Sequence, residues 1–267
     1  MGYTKIVQYG DVTEIYRYEK NISRKKGISV KKAMQLQGDW DDSVSSILPT
    51  VQSKRLKENR LAVLAKGQAK RSKASIRRSK TNFFRLVHHN NCCADTIHFV
   101  TLTFAFDVAY LNANEYVRQF FKRLRRHHKE ISIHFISVPE KTKKGRFHFH
   151  LLVYDLPPET ASIERETRYI QRYFQRGYVD VVLAGYRTKG LAGYMAKYMA
   201  KSLGDETYAA GRGYSHSQGI AKPSSAGGNS FDQYIDYIVD FDNVAKTETS
   251  SYDVPYLGNC QVTRITK

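Results

Sequence analysis

Between Ile97 and Ser202 the apolar residues switch repeatedly between a period of two and a period near 3.6, and this alternation limits the folds open to the chain. IHFVTLTFAF, starting at residue 97, is rich in β-branched and aromatic residues and predicts a buried strand. Val117, Phe120, Phe121 and Leu124 then recur at helical spacing, opposite Arg118, Lys122, Arg125 and Arg126; Asn112, with Glu115 three residues on, is the expected cap. ISIHFISVPE and RFHFHLLVY flank KTKKG as a β-hairpin, which Pro157 and Pro158 end. A helix over 159–175, a strand over 178–183 and a helix around 190–202 complete the series. The order β-α-β-β-α-β-α predicts an α+β fold of ferredoxin or RRM-like character, a central antiparallel-rich sheet flanked by helices.

The flanks are less regular. YTKIVQYGDVTEIYRYE opens the chain with partial alternation, and YTKIV is expected to be an edge or accessory strand. Few breakers interrupt the basic stretch from Lys54 to Val87, which predicts a helix or two. HHNNCC at 88–93 holds metal-binding residue types at no usual zinc spacing, and the expectation is a polar connector. Beyond Gly204, GRGYSHSQGIAKPSSAGGNS predicts loops and FDQYIDYIVDFDNV an acidic, amphipathic element. Three regions follow: 1–90, a basic N-terminal region of strand plus helices; 91–204, the core; and 205–267, a Gly/Ser-rich segment with a C-terminal element packing on that core.

The 267 residues carry 43 Lys plus Arg against 25 Asp plus Glu, a formal charge of +18, gathered in blocks such as KGQAKRSKASIRRSK and KRLRRHHK. A polyanion is the partner such blocks favour first. Nothing approaches the ~20 apolar residues of a membrane span, the opening lacks a signal-peptide layout, and Ile6 stands where a myristoylation signal needs Ser or Thr. Three cysteines, two of them adjacent, make a poor disulfide framework and fit a reducing compartment. The expectation is a soluble, intracellular protein without a membrane partner.

Alternation along a strand places His148 and His150 on one face and Phe147, Phe149 and Leu151 on the other. An even hairpin register adds Glu140 to the histidine face, opposite or diagonal to His148. Two imidazoles and a carboxylate suit a divalent ion with open positions, Mg²⁺, Mn²⁺ or Zn²⁺. The plainer reading is a polar sheet face. In LAGYMAKYMAKS, Tyr194 and Tyr198 lie four apart on one helical face, with Lys197 and Lys201 at the same interval. A phenol is a poor nucleophile at neutral pH, and an ammonium and a metal-polarised phosphate both improve it. The plainer reading here is a core stripe beside solvated lysines.

FVTLTF (99–104), RFHFH (146–150) and YMAKYMAK (194–201) stand in the order of the three motifs of the HUH endonuclease superfamily, which residues 97–202 resemble. The order is similar to that of rolling-circle replication initiators (Rep proteins) of phages and plasmids, and unlike that of relaxases, which place the tyrosine first. The resemblance implies the HUH endonuclease fold for that segment; the basic N-terminal region, 1–90, lies outside it and is expected from its own charge and periodicity to be a helical, DNA-binding extension. It also implies Mg²⁺ or Mn²⁺ on His148 and His150, with Glu140 as a frequent third ligand. Tyr194 and Tyr198 match the two-tyrosine form, and Tyr-x-x-Lys also matches the one-tyrosine form. The implied activity is nicking of single-stranded DNA at a replication origin through a 5′-phosphotyrosyl intermediate and a free 3′-OH, followed by rejoining, in a bacterial or archaeal cytoplasm. No G-x-x-x-x-G-K-[ST] occurs, so a separate helicase and the host polymerase are expected partners. A transposase of the same superfamily and a non-catalytic nucleic-acid-binding protein are the alternatives.

Overall fold

The computed structural model describes residues 2–21, 73–142, 145–158, 162–184, 189–204, 213–229, 235, 244–254 and 258–267. The chain divides into two compact units, one formed by Met1–Val7, Thr13–Ala69 and Ser225–Lys267, the other by Gln8–Val12 and Lys70–Ser224. The fold is α+β, with two five-stranded antiparallel sheets and four helices among the described residues. No helix among them is long and apolar enough to cross a membrane.

The first unit is built on a sheet of order β8-β1-β2-β10-β9, from β1 (Tyr3–Tyr9), β2 (Val12–Tyr18), β8 (Ser224–Asn229), β9 (Lys246–Val254) and β10 (Gly258–Thr266). Ile6, Ile15, Ile235 and Ile265 form its apolar cluster. Buried Glu14 is neutralised by Arg264 at 2.7 Å. The opening therefore holds two strands where one was expected, and the β9–β10 hairpin replaces no predicted element. Thr, Ser and charged residues fill β9 because it is an exposed edge. The acidic element over 231–244 lies outside the described residues except Ile235 and Val244, as do 54–72 of the basic stretch.

The second unit carries the predicted alternation. Its elements are α1 (Lys73–Cys93), β3 (Ile97–Phe104), α2 (Tyr110–His127), β4 (His134–Lys141), β5 (Phe147–Tyr154), α3 (Ile163–Gln171), β6 (Gly177–Ala184), α4 (Lys189–Gly204) and β7 (Ser215–His216). The sheet order β6-β3-β5-β4-β7 is the arrangement of a split β-α-β, with β5 antiparallel between β3 and β4. Close approach of β6 to β3 requires glycine at 177, since a Cβ there would lie 1.9 Å from the Thr103 carbonyl oxygen.

Strand alternation sorts the sheet into two covered faces. Leu102, Phe104, Phe147, Phe149 and Leu151 face α2 and α3, meeting Val117, Phe120, Phe121, Leu124 and Ile170. Burying each such side chain contributes roughly 1.5–3 kcal/mol. Ile136, Val138, Leu152 and Tyr154 face α1 and α4, meeting Phe83, Val87, Met195 and Met199. On the first face a buried His98–Glu166 pair, 3.1 Å apart, ties α3 to β3.

Three local expectations change. Helix α2 starts at Tyr110, whose ring packs on Phe147, so Asn112 lies inside the first turn instead of capping it; Glu115 pairs with Arg118 and Gln119. Helix α3 ends at Gln171, whose side chain donates to the Phe174 and Gly177 carbonyls and accepts from the Val179 amide, closing the turn into β6; 159–161 lie outside the described residues. HHNNCC is the last part of helix α1, not a connector, because its polar groups have partners there: Asn90 bonds to Leu86 and Ala221, Asn91 to the Tyr154 hydroxyl.

Candidate active site

The β4–β5 register places Glu140 directly opposite His148 and Val138 opposite His150. Glu140, His148 and His150 thus share the face covered by α1 and α4. On the other side of β5, β3 sets Thr103 opposite His148 and Thr101 opposite His150. Each hydroxyl meets the Nδ1 of its histidine, at 3.3 Å and 3.4 Å. With Nδ1 so engaged, Nε2 is the nitrogen left to act, and the Nε2 of His150 lies 2.9 Å from Glu140 Oε2.

The third element is α4. The Ser202 hydroxyl donates to the Pro139 carbonyl, fixing the helix against β4 one residue from Glu140. Lys201 Nζ reaches the other Glu140 oxygen, Oε1, at 2.5 Å. One turn earlier, the Tyr198 ring lies over His150 with centroids 4.2 Å apart, and the Tyr198 hydroxyl donates to that of Tyr194 at 2.8 Å. Tyr194 meets the edge of Phe99, which itself stacks on His150. Among the described residues Lys197 is exposed on the adjoining helical face and pairs with nothing. So the structure brings Glu140, His148, His150, Tyr194, Tyr198 and Lys201 into one cluster and leaves Lys197 at its rim.

Burial pushes the His150 pKa down, only partly offset by Glu140, and burial with the neighbouring His150 lowers that of His148. Both imidazoles are therefore neutral near pH 7, the form that ligates metal. Burial opposes ionisation of Glu140, but Lys201 and His150 outweigh it and hold the carboxyl below its ordinary range. Tyr198 is pushed up to about 12, first by its bond to Tyr194 and then by burial and the Glu140 charge. Lys201 Nζ is engaged by Glu140 Oε1 in this arrangement.

Thr101, Thr103, Phe99 and Ser202 were not anticipated as part of the cluster. The signal for the threonines is in FVTLTF, where Thr alternates with the core residues Val100, Leu102 and Phe104, so the register that places His148 and His150 places them too. On β6, Tyr178, Asp180 and Val182 lie opposite Thr103, Thr101 and Phe99. Tyr178 is 69% exposed, Val182 45% and Tyr194 43%, so the sheet face beside the cluster is open and partly apolar.

Residues 97–203 match the family model of replication-associated protein ORF2/G2P. The match runs from β3 to α4, covers less than half of the chain, and takes in every residue of the cluster. No curated protein and no solved structure matches the chain.

Proposed function

We propose that the protein is an initiator of rolling-circle DNA replication that nicks single-stranded origin DNA through a tyrosine and later rejoins it. The observation that carries this reading is the pair of phenol hydroxyls 2.8 Å apart, with the Tyr198 ring on His150, inside the segment similar to replication-associated proteins. Two nucleophile candidates that close, beside two neutral imidazoles and a carboxylate, suit transfer of a phosphodiester between tyrosines.

His148, His150 and Glu140 are the residues that would hold Mg²⁺ or Mn²⁺. Two nitrogen donors oriented from behind by threonines and one ionised carboxylate fit such an ion. His150 and Glu140 already converge; bringing all three donors together calls for His148 to turn about its side-chain bonds, because the strand fixes its backbone. The ion would supply Lewis-acid polarisation of the scissile phosphate.

Tyr194 is the first nucleophile. Deprotonating Tyr198 forfeits the bond it donates, whereas a Tyr194 phenolate keeps Tyr198 as its donor, and Tyr194 is the more accessible of the two. Tyr194 loses its phenol proton to solvent and its Oη attacks phosphorus, forming the phosphotyrosyl bond and breaking the P–O3′ bond; the O3′ leaves and takes up a proton from solvent to become the 3′-OH. Tyr198 is then placed to attack at a second cut, and the free 3′-OH to reseal the DNA.

Single-stranded DNA is the proposed partner, with exposed Tyr178 on β6 offering a ring for base stacking and Val182 an apolar contact beside it. Arg77, Arg78 and Lys80 are exposed on α1, which lies on the cluster's side of the sheet, and are the nearer source of phosphate contacts. The basic surface of α2 lies on the opposite side, and its Arg125 is bound to the Ile133 carbonyl. Helicase and polymerase functions are assigned to separate proteins of the host cell.

Incubating the full chain with Mn²⁺ and labelled single-stranded origin fragments tests the proposal. An SDS-resistant protein–DNA adduct, abolished in the Tyr194→Phe, Tyr198→Phe double variant, is the expected result. An undiminished adduct in that variant refutes tyrosine chemistry.

A further inference from the structure

A second cluster of ligand-type side chains lies outside the candidate active site. Asp11 follows Gly10 in the two-residue turn between β1 and β2; His88 and Cys92 lie four residues apart on one face of α1. All three belong to the second unit. Among the described residues this is the only group of three or more His, Cys, Asp or Glu whose ligand atoms lie within 4.8 Å of one another; Glu140, His148 and His150 do not close to that extent.

The distances have the shape of a metal site. His88 Nε2 is 2.7 Å from Asp11 Oδ1, Cys92 Sγ is 3.8 Å from the same oxygen, and Cys92 Sγ is 3.7 Å from His88 Nε2. Tetrahedral zinc with ordinary bond lengths sets its sulfur–nitrogen and sulfur–oxygen edges at about 3.5 Å and its nitrogen–oxygen edge at about 3.3 Å. Two edges are already within a few tenths of an ångström, and the third opens once a cation replaces the proton between His88 and Asp11.

The surroundings hold the donors in place. The His88 ring stacks on Phe84 and meets Tyr9 edge-on. The backbone N–H of Gly10 donates to His89 Nδ1 at 2.9 Å, anchoring the turn on the helix. Gly10 has φ +55°, and a Cβ there would lie 2.6 Å from Cys92 Sγ, so glycine is what lets the turn approach the sulfur.

We infer that Asp11 Oδ1, His88 Nε2 and Cys92 Sγ form a three-ligand site for a zinc-type divalent cation, with the fourth position open to solvent. A sulfur, an imidazole and one carboxylate select a borderline-soft ion over Mg²⁺. Binding forms a metal–sulfur bond and releases the thiol proton to solvent, while His88 takes the Nδ1–H tautomer. The ion fastens residues 8–12 to α1.

Co²⁺ titration of the full chain under reducing conditions provides the test, because cobalt bound to a thiolate shows a sulfur-to-metal charge-transfer band in the near ultraviolet. The expected result is a saturable band, displaced by Zn²⁺, lost in Cys92→Ser and retained in Cys93→Ser and in the His148→Ala, His150→Ala double variant. His88→Ala should weaken Co²⁺ binding by about 10-fold or more, with an unchanged circular dichroism spectrum. Absence of the band, its persistence in Cys92→Ser, or its loss in the His148→Ala, His150→Ala variant would overturn the site.

Discussion

The Tyr198 hydroxyl donates its proton to the Tyr194 hydroxyl at 2.8 Å while the Tyr198 ring lies on His150. This direction makes the two tyrosines unequal. Tyr194→Phe should abolish the first adduct. Tyr198→Phe should leave a slower first cut, by about 10- to 100-fold, the cost of one hydrogen bond to a charged group. Single-turnover cleavage of a labelled oligonucleotide measures both, and equal loss in the two variants contradicts the order of attack.

Thr101 and Thr103 touch only the Nδ1 side of the histidines. Replacing both with valine should lower Mn²⁺ affinity about 10- to 100-fold, the usual effect of removing an outer partner of a ligating histidine. Isothermal titration checks this, and a matching thermal denaturation curve separates it from loss of fold.

Lys201 holds Glu140 Oε1, an oxygen that a cation at the proposed site would need. The ammonium is well exposed, so its hold is modest, and Lys201→Met should tighten Mn²⁺ binding about 2- to 5-fold. Weaker binding in that variant would show that Lys201 assists the ion instead of displacing it.

Buried His98 makes folding pH-dependent. Burial lowers its pKa, and the Glu166 carboxylate opposes that without reversing it. The unfolded chain therefore binds the proton first, so this stability is complete above about pH 6.5 and is lost as pH falls towards the folded-state pKa. Thermal melts from pH 8 to pH 5 should show a falling midpoint. The His98→Leu, Glu166→Leu double variant should flatten the fall.

Tyr178 stands exposed on the open sheet face opposite Thr103. If a base stacks there, Tyr178→Ala should weaken single-stranded DNA binding by about 1–3 kcal/mol with little change in salt dependence. Replacing Arg77, Arg78 and Lys80 with alanine should instead reduce the salt slope by about 0.7 for each phosphate that is no longer neutralised. Fluorescence anisotropy at several salt concentrations separates the two effects.

Much of the second unit was legible in the sequence because its signals were periodic. Alternation at 147–151 put phenylalanines on one face and histidines on the other, and the hairpin register brought Glu140 opposite His148. The spacing of Tyr194 and Tyr198 gave their shared helical face. Long-range pairing was less visible. Nothing in YMAKYMAK says that Lys201 turns to a carboxylate 61 residues earlier or that Tyr198 donates to Tyr194. The role of HHNNCC was hidden for the same reason: the third donor, Asp11, is 77 residues from His88, so no local spacing reveals the set. Strand β9 was missed because an exposed edge carries no apolar alternation to read.

Peptide mapping of the covalent adduct by mass spectrometry identifies the attacking residue. A nucleotide 5′-phosphate is expected on Tyr194 after one cut, and on Tyr198 as well once a second cut is allowed. Modification of any other residue, or cleavage without a covalent protein–DNA bond, would contradict this assignment.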